Sequence, residues 1–490
     1  MATYKYALST IILLSIVIHP ATFGQEDSSQ HQSALIAGSI VVDGHSLEYL
    51  RELTDGFGGR VSGSTAYQKA AQWAASQFRA AGISDVKLEP FTIPNGWARV
   101  SARARMLAPL DRQLQIQSYG WAPSTPPEGV TGDVVYVPHL FAEGRIKDHA
   151  DKIKGKIILI DNDSFSQDEP FKDSRYMASK RLLKELGALA ILVRGSTENN
   201  VTSSWDDTWG GMLEPLPIAE IGMEDGKLIQ RLLESGAVKV EVQCDNKVSG
   251  PVDVNNVVAE IRGTEKPDEW ILVGAHLDSW DQGTGAQANG AGCAMVLEAA
   301  RAIAQLKHAP RRSIRFALWG GEEQGMIGSS AYVRSHISEM GNCIAVLNTS
   351  SGAGRPQGWT IRGNTELTNA MAPLSQSLVG MGGDGLKEEV RFEDMSDWVS
   401  FFLNGVPALD LWTDMTHYWE YHHRPSDTFD KVNPHNLALG SAIVAVTAYR
   451  IAEQPQPISP HLDQTAIDGV LKRSNVYETI KDLIDEGVFK

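Results

Sequence analysis

Hydrophobic and polar positions along this chain repeat with two different periods, and the switches between them mark the expected elements. Residues 47–53 and 67–81 place apolar side chains at helical spacing, with Gly82 positioned as a stop. Residues 85–91 then alternate as a half-buried strand does. The runs KIILID (156–161) and ALAILV (188–193) predict compact buried strands separated by a helix over 177–186, and residues 226–235 predict a further helix. From Asn255 onward the alternation resumes, with strands expected at 257–261, 270–275, 314–319, 344–348 and 406–411 and strong helices at 293–306 and 437–452. Strands separated by long helices predict an α/β fold, a mixed sheet flanked by helices on both faces.

The texture changes in the middle of the chain. Pro123, Pro126, Pro127 and several glycines punctuate it, and residues 105–250 read as a small inserted domain. The insert divides the main domain into residues 33–104 and 251–455, and residues 456–490 form a tail that turns helical from about Gln464. At the other end, Lys5 precedes the apolar run 7–18, and small residues follow at Ala21, Thr22 and Gly24, the pattern of a secretory signal over residues 1–24. Residues 25–32 are then expected to be a polar, frayed start, and the destination to be secreted or periplasmic. No later run reaches about 18 uninterrupted apolar residues, so no membrane span is expected.

Length and composition narrow the partners. A chain of 490 residues is too long for one ordinary domain, and 42% apolar with 21% charged residues is ordinary for a globular protein. The formal charge is −16, and removal of Lys5 with the signal makes the chain more acidic still. Such a surface repels nucleic acid and anionic membranes. Cys244, Cys293 and Cys343 have no CxxC spacing, which argues against a thiolate zinc site, and Cys293 reads as a small buried hydrophobe.

Candidate chemistry falls near strand ends. In GAHLDSWD, His276 has Asp278 two residues on, and a carboxylate there can fix an imidazole tautomer. In WGGEEQG, Glu322 and Glu323 are adjacent; buried together they need a cation or a raised pKa, and one can bind metal while the other takes a proton from water. Taken alone, such a pair is usually a solvated acidic turn. In YHHRPSDT, His422 and His423 precede Asp427 and Thr428, which are available for support or capping. The stretch LNTSSG, with Asn348, Thr349 and Ser350, offers hydroxyls and an amide but no carboxylate. There is no GxSxG turn, HExxH helix or phosphate loop.

Taken together, GAHLDSWD, WGGEEQG with a following Gly328, GVPA at Gly405, and YHHRPSDT resemble the M28-type zinc exopeptidases in their carboxypeptidase Q-like branch. The resemblance covers nearly all of the chain after residue 24 and makes the insert similar to a protease-associated domain. It implies hydrolysis of short peptides, with Glu322 as general base, His276 as ligand of one zinc, Glu323 and His423 as ligands of a second, and Asp278 orienting His276. His423 is preferred to His422 because the family's last ligand lies four residues before the aspartate that here is Asp427. A homodimer is carried as an expectation.

Two positions depart from the family pattern. Where it has an aspartate bridging both metals, this chain has Ala288; where it has a second aspartate, this chain has Ser350. Alanine offers no donor atom and a serine hydroxyl is a poor zinc ligand. The expectation is therefore one zinc ion or none in place of two. His276, Glu323 and His423 can converge on one ion if His276 or its strand shifts. Asn289 adjoins the vacated bridging position but points elsewhere, and Asp281 and Asp397 are nearby acidic candidates. A pseudoenzyme that binds peptides or proteins without cutting them is the alternative, and a pure scaffold is a third.

Overall fold

The computed structural model describes residues 21–138, 146–162, 173–206, 208–391, 395–485 and 487–489. Most of the expected signal, residues 1–20, lies outside these. Residues 25–32, expected to be frayed, belong instead to the helix Ala21–Asp43. The reason lies downstream: Ile36 and Ile40 are buried in the main core, the helix packs on the helix Pro434–Glu453, and its regular winding extends back from that anchored end.

The chain contributes β1 (Asp85–Ile93) to a first sheet and then leaves it. Strands β2 (Trp97–Ala108), β3 (Arg112–Leu114), β4 (Ile116–Ser118), β5 (Val130–Tyr136), β6 (Ile157–Asp161), β7 (Ala190–Arg194), β8 (Ile218–Ile221) and β9 (Lys239–Val248) build a second sheet in the order β3-β2-β9-β5-β6-β7-β8-β4. The chain returns as β10 (Val252–Ile261), β11 (Lys266–His276), β12 (Arg312–Trp319), β13 (Cys343–Asn348), β14 (Pro356–Ile361), β15 (Gly385–Glu388) and β16 (Ala408–Thr413). These complete the first sheet in the order β1-β10-β12-β11-β13-β16-β14-β15, in which β12, β11, β13 and β16 run parallel.

Burial of the central strands follows from side-chain alternation. Ile271, Val273 and Ala275 of β11 enter one core cluster, with the helices Ser46–Phe57, Thr65–Ala80, Ala291–Ala304 and Pro434–Glu453. Trp270 and Leu272 face a second cluster, with Tyr332, Val333 and Phe401. A strand covered on both faces must be apolar at every position, which is why 270–275 reads as one continuous run. The helices are set by local chemistry as well. Ser64 caps Thr65–Ala80 by accepting from Tyr67 N–H, and the stripe Tyr67, Ala70, Ala71, Ala74, Ala75, Phe78 is buried at helical spacing. Asn433 accepts from the N–H groups of His435 and Asn436, and Pro434 occupies the first turn of Pro434–Glu453.

Among the described residues, no helix is long and apolar enough to cross a membrane. The polar clusters instead gather at the carboxyl ends of β11, β12 and β13. Because β12 and β13 lie on opposite sides of β11, this edge is a topological switch point, the place where open α/β sheets bind their ligands.

Candidate metal centre

His276 is the last residue of β11 and pairs in register with Trp319, the last of β12. The turn after Trp319 therefore delivers Glu322 and Glu323 beside the imidazole. Its shape depends on close backbone approach: a Cβ on Gly328 would meet Gly320 O at 2.3 Å. Asn256 of β10 ties the turn together, accepting from Gly320 N–H at 3.2 Å and donating to Gly328 O at 2.8 Å.

Three of the four polar side chains expected at the site gather closely, and His423 joins them through Glu323. One ligand atom each of His276, Glu322 and Glu323 lies within 4.8 Å of the others, and His423 is outside that group. His276 Nε2 is 3.8 Å from Glu322 Oε2, and His423 Nε2 is 2.9 Å from Glu323 Oε2. His422 does not enter this set. It stacks on His423 at 3.6 Å between ring centroids and is surrounded by Tyr418, Trp419 and Trp205.

Asp278 does more than accompany the histidine. Its Oδ1 accepts from Glu322 N–H at 3.3 Å and its Oδ2 from Glu323 N–H at 3.2 Å, while its carboxylate lies 3.7 Å from His276 Nδ1. The shorter contact of His276 Nδ1, 3.1 Å, is to the carbonyl oxygen of Asp278. A carbonyl can only accept, so Nδ1 carries a proton, and whenever the ring is neutral its Nε2 lone pair faces the glutamates. Asp427 plays a matching part across the cleft: its two oxygens accept from the N–H groups of Gln287 and Ala288 at 2.7 and 3.1 Å.

Charge is poorly balanced here. Burial, reinforced by neighbouring carboxylates, lifts Glu322 to a pKa of about 7 and Glu323 to about 8. Burial works to discharge His276, but Glu322 and Asp278 outweigh it and carry that ring to about 10. His423 is pushed down to about 3 by burial and by the nearby His276, so it stays neutral. Asp397 is held well above the usual carboxylate range by burial and by Glu322. Among the described residues, Glu323 Oε1 is buried without a well-formed hydrogen bond, with the Trp280 side chain as its neighbour. Crowded carboxylates, two imidazoles and a poorly satisfied carboxylate oxygen suit a divalent cation with nitrogen and oxygen ligands such as zinc.

The two substituted positions contribute little to such a site. Ala288 is buried in the irregular turn Ala286–Gly290 and brings only a methyl group. Ser350 Oγ is taken up with neighbours, accepting from Asn348 Nδ2 at 3.2 Å and lying 3.5 Å from Asp410 Oδ1. Asn289 donates to Thr349 O at 2.7 Å and accepts from Gly292 N–H at 3.2 Å, so it holds the turn. Asp281 is drawn away into an ion pair with Arg99. Cys293 is buried and donates to His276 O at 3.0 Å, and Cys244, Cys293 and Cys343 are all free thiols.

Several supporting residues carry no sequence signal of their own. Arg60 is fully buried and donates to the carbonyls of Leu277, Gly58, Thr284 and Gly285, clasping the loop between β11 and the Ala286–Gly290 turn. From the side of the second sheet, Ser204 N–H donates to His423 O at 2.8 Å, and the Trp205 ring lies 4.6 Å from that of His423. Only the glycine-rich setting of Arg60, GFGGRVSG, hinted at a buried turn.

Comparison with known proteins agrees with this geometry. Residues 256–448 match the family model for Peptidase family M28. Carboxypeptidase Q of Xenopus laevis is 31% identical over 84% of this chain and 86% of its own. The crystal structure of a Peptidase M28 precursor from Shewanella amazonensis superposes with a TM-score of 0.77 at 27% identity, over 90% of this chain and all of that one. A zinc aminopeptidase from Bacillus subtilis shares the fold, with a TM-score of 0.65 at 21% identity over 86% of this chain and 97% of its own.

Proposed function

The chain belongs to peptidase family M28, and from that premise we propose that it is a metal-dependent exopeptidase that hydrolyses short peptides at a centre built for a single zinc ion. The observation that carries this reading is the gathering of His276, Glu322 and Glu323, with His423 against Glu323. His276, Glu323 and His423 would hold the ion. When bound, zinc supplies Lewis acidity, polarising a peptide carbonyl and making a water molecule easier to deprotonate. Glu322 is the general base: with a pKa of about 7 in the metal-free site, it is balanced between accepting and returning a proton near neutrality. Asp278 positions Glu322 and Glu323 through their backbone N–H groups and does not touch the substrate.

Ala288 and Ser350 favour a second reading, in which the crevice binds peptides and leaves them intact. Activity separates the two. The single-zinc reading expects chelator-sensitive hydrolysis of dipeptides that zinc restores, and a fall of about 100-fold or more in Glu322→Gln, the scale of general-base catalysis, with zinc retained. No turnover by the zinc-loaded parent chain would favour the binding reading. The chain is destined for the secretory route or the periplasm on the strength of Lys5 and the apolar run that follows; N-terminal sequencing of the exported chain, with a start near residue 25 expected, checks this.

A further inference from the structure

A buried ion pair stands beside the position where the family pattern has its second aspartate. β16 runs parallel to β13 with Asp410 opposite Asn348, which places the Asp410 carboxylate next to the chain that continues to Ser350. Asp410 Oδ1 accepts from Asn348 Nδ2 at 3.1 Å and from Ser350 Oγ at 3.5 Å, and Asp410 Oδ2 accepts from Arg362 Nη2 at 2.7 Å. Arg362 is 2% and Asp410 3% exposed, and the guanidinium lies over the Trp398 ring at 4.6 Å. Removing two charges from water is costly and such pairs are a weak source of stability, so an electrostatic role at this place is the better account of them.

We infer that the Asp410–Arg362 pair substitutes internally for the carboxylate and cation that a two-metal centre would have on this side, and that it helps to restrict the centre to one metal. The inference rests on the single-zinc reading above. An aspartate at position 350 would bring a carboxylate against Asp410 Oδ1, which the serine hydroxyl already approaches at 3.5 Å. Buried like charges that close repel unless a cation lies between them. The cation on this side is Arg362, fixed on the far oxygen of Asp410, and a second dication would have to enter close to it. Asp410 is poorly placed to act as a replacement ligand, because Asn348 and Ser350 engage one of its oxygens and Arg362 the other.

Metal analysis of restored variants tests this. Ala288→Asp with Ser350→Asp returns both missing carboxylates, and adding Arg362→Met with Asp410→Asn removes the pair while keeping an acceptor for Asn348 and apolar packing on Trp398. After zinc loading and gel filtration, the double variant is expected to hold the same zinc per chain as the parent, and the quadruple variant about one more. A second zinc in the double variant, or no gain in the quadruple variant, would overturn the inference. Should circular dichroism show the quadruple variant unfolded, the double variant decides alone: a gain sinks the idea and no gain supports it. A parent chain that binds no zinc contradicts the single-zinc reading, while the difference between the two variants still tests the ion pair.

Discussion

At Asp278 one carboxylate fixes the stance of two others. Both of its oxygens accept from the backbone of the Glu322–Glu323 turn, so Asp278→Asn replaces one acceptor by an amide that points its own donors at an N–H group. Leaving a buried donor unpaired costs about 1–3 kcal/mol, and urea unfolding of the metal-free protein should show a loss of that size together with weaker zinc affinity. Glu323 makes the metal-free protein sensitive to pH. Its carboxyl ionises near 8 in the folded chain, against 4.5 for a free glutamate. Between those values unfolding releases a proton, so the stability tied to the protonated group is full below pH 4.5 and is lost as pH rises through about 8. Thermal melts of the metal-free chain should fall across that window, and Glu323→Gln should flatten the fall. A slope unchanged by the substitution would mean that other groups set it. Zinc should also remove much of the trend, since it favours the ionised carboxylate.

At the scale of elements, the loop between β11 and the Ala286–Gly290 turn keeps its path through Arg60. Four backbone carbonyls accept from that one side chain, and Arg60→Met would take this donor from Leu277, Gly58 and Thr284, while Gly285 O keeps the Gly290 N–H. The expected loss is several kcal/mol by chemical denaturation, at the severe end for single substitutions; a loss under about 1 kcal/mol would show that the loop stands without it. The same scale explains what could be read in the sequence. Strands β11, β12 and β13 were legible because burial on both faces demands unbroken apolar runs, and Thr65–Ala80 because its buried stripe keeps helical spacing. β2 and β9 were not, since both are partly exposed and carry arginine, lysine and aspartate between their buried positions. The helix over residues 21–32 was missed because its support comes from Ile36 and Ile40 further along, and local polarity there resembles a loop.

For the whole molecule, the centre is assembled from ends that are remote in sequence: β11, β12, the loop carrying His423, and the Ser204–Trp205 segment from the side of the second sheet. His276, Glu322, Glu323 and His423 were legible because the motifs that hold them occur together and in order. Arg60, Asn256, Ser204 and the Asp410–Arg362 pair were not, because their work is done on backbone groups or on each other across the fold, and no local pattern marks it. Whether His276, Glu323 and His423 hold one metal ion together is what the proposed chemistry depends on. Zinc content after chelation, reloading and desalting decides this. About one zinc per parent chain is expected, as a three-ligand site holds, with little or none in His276→Ala and in His423→Ala; a parent chain free of zinc, or variants that retain as much as the parent, would rule the site out.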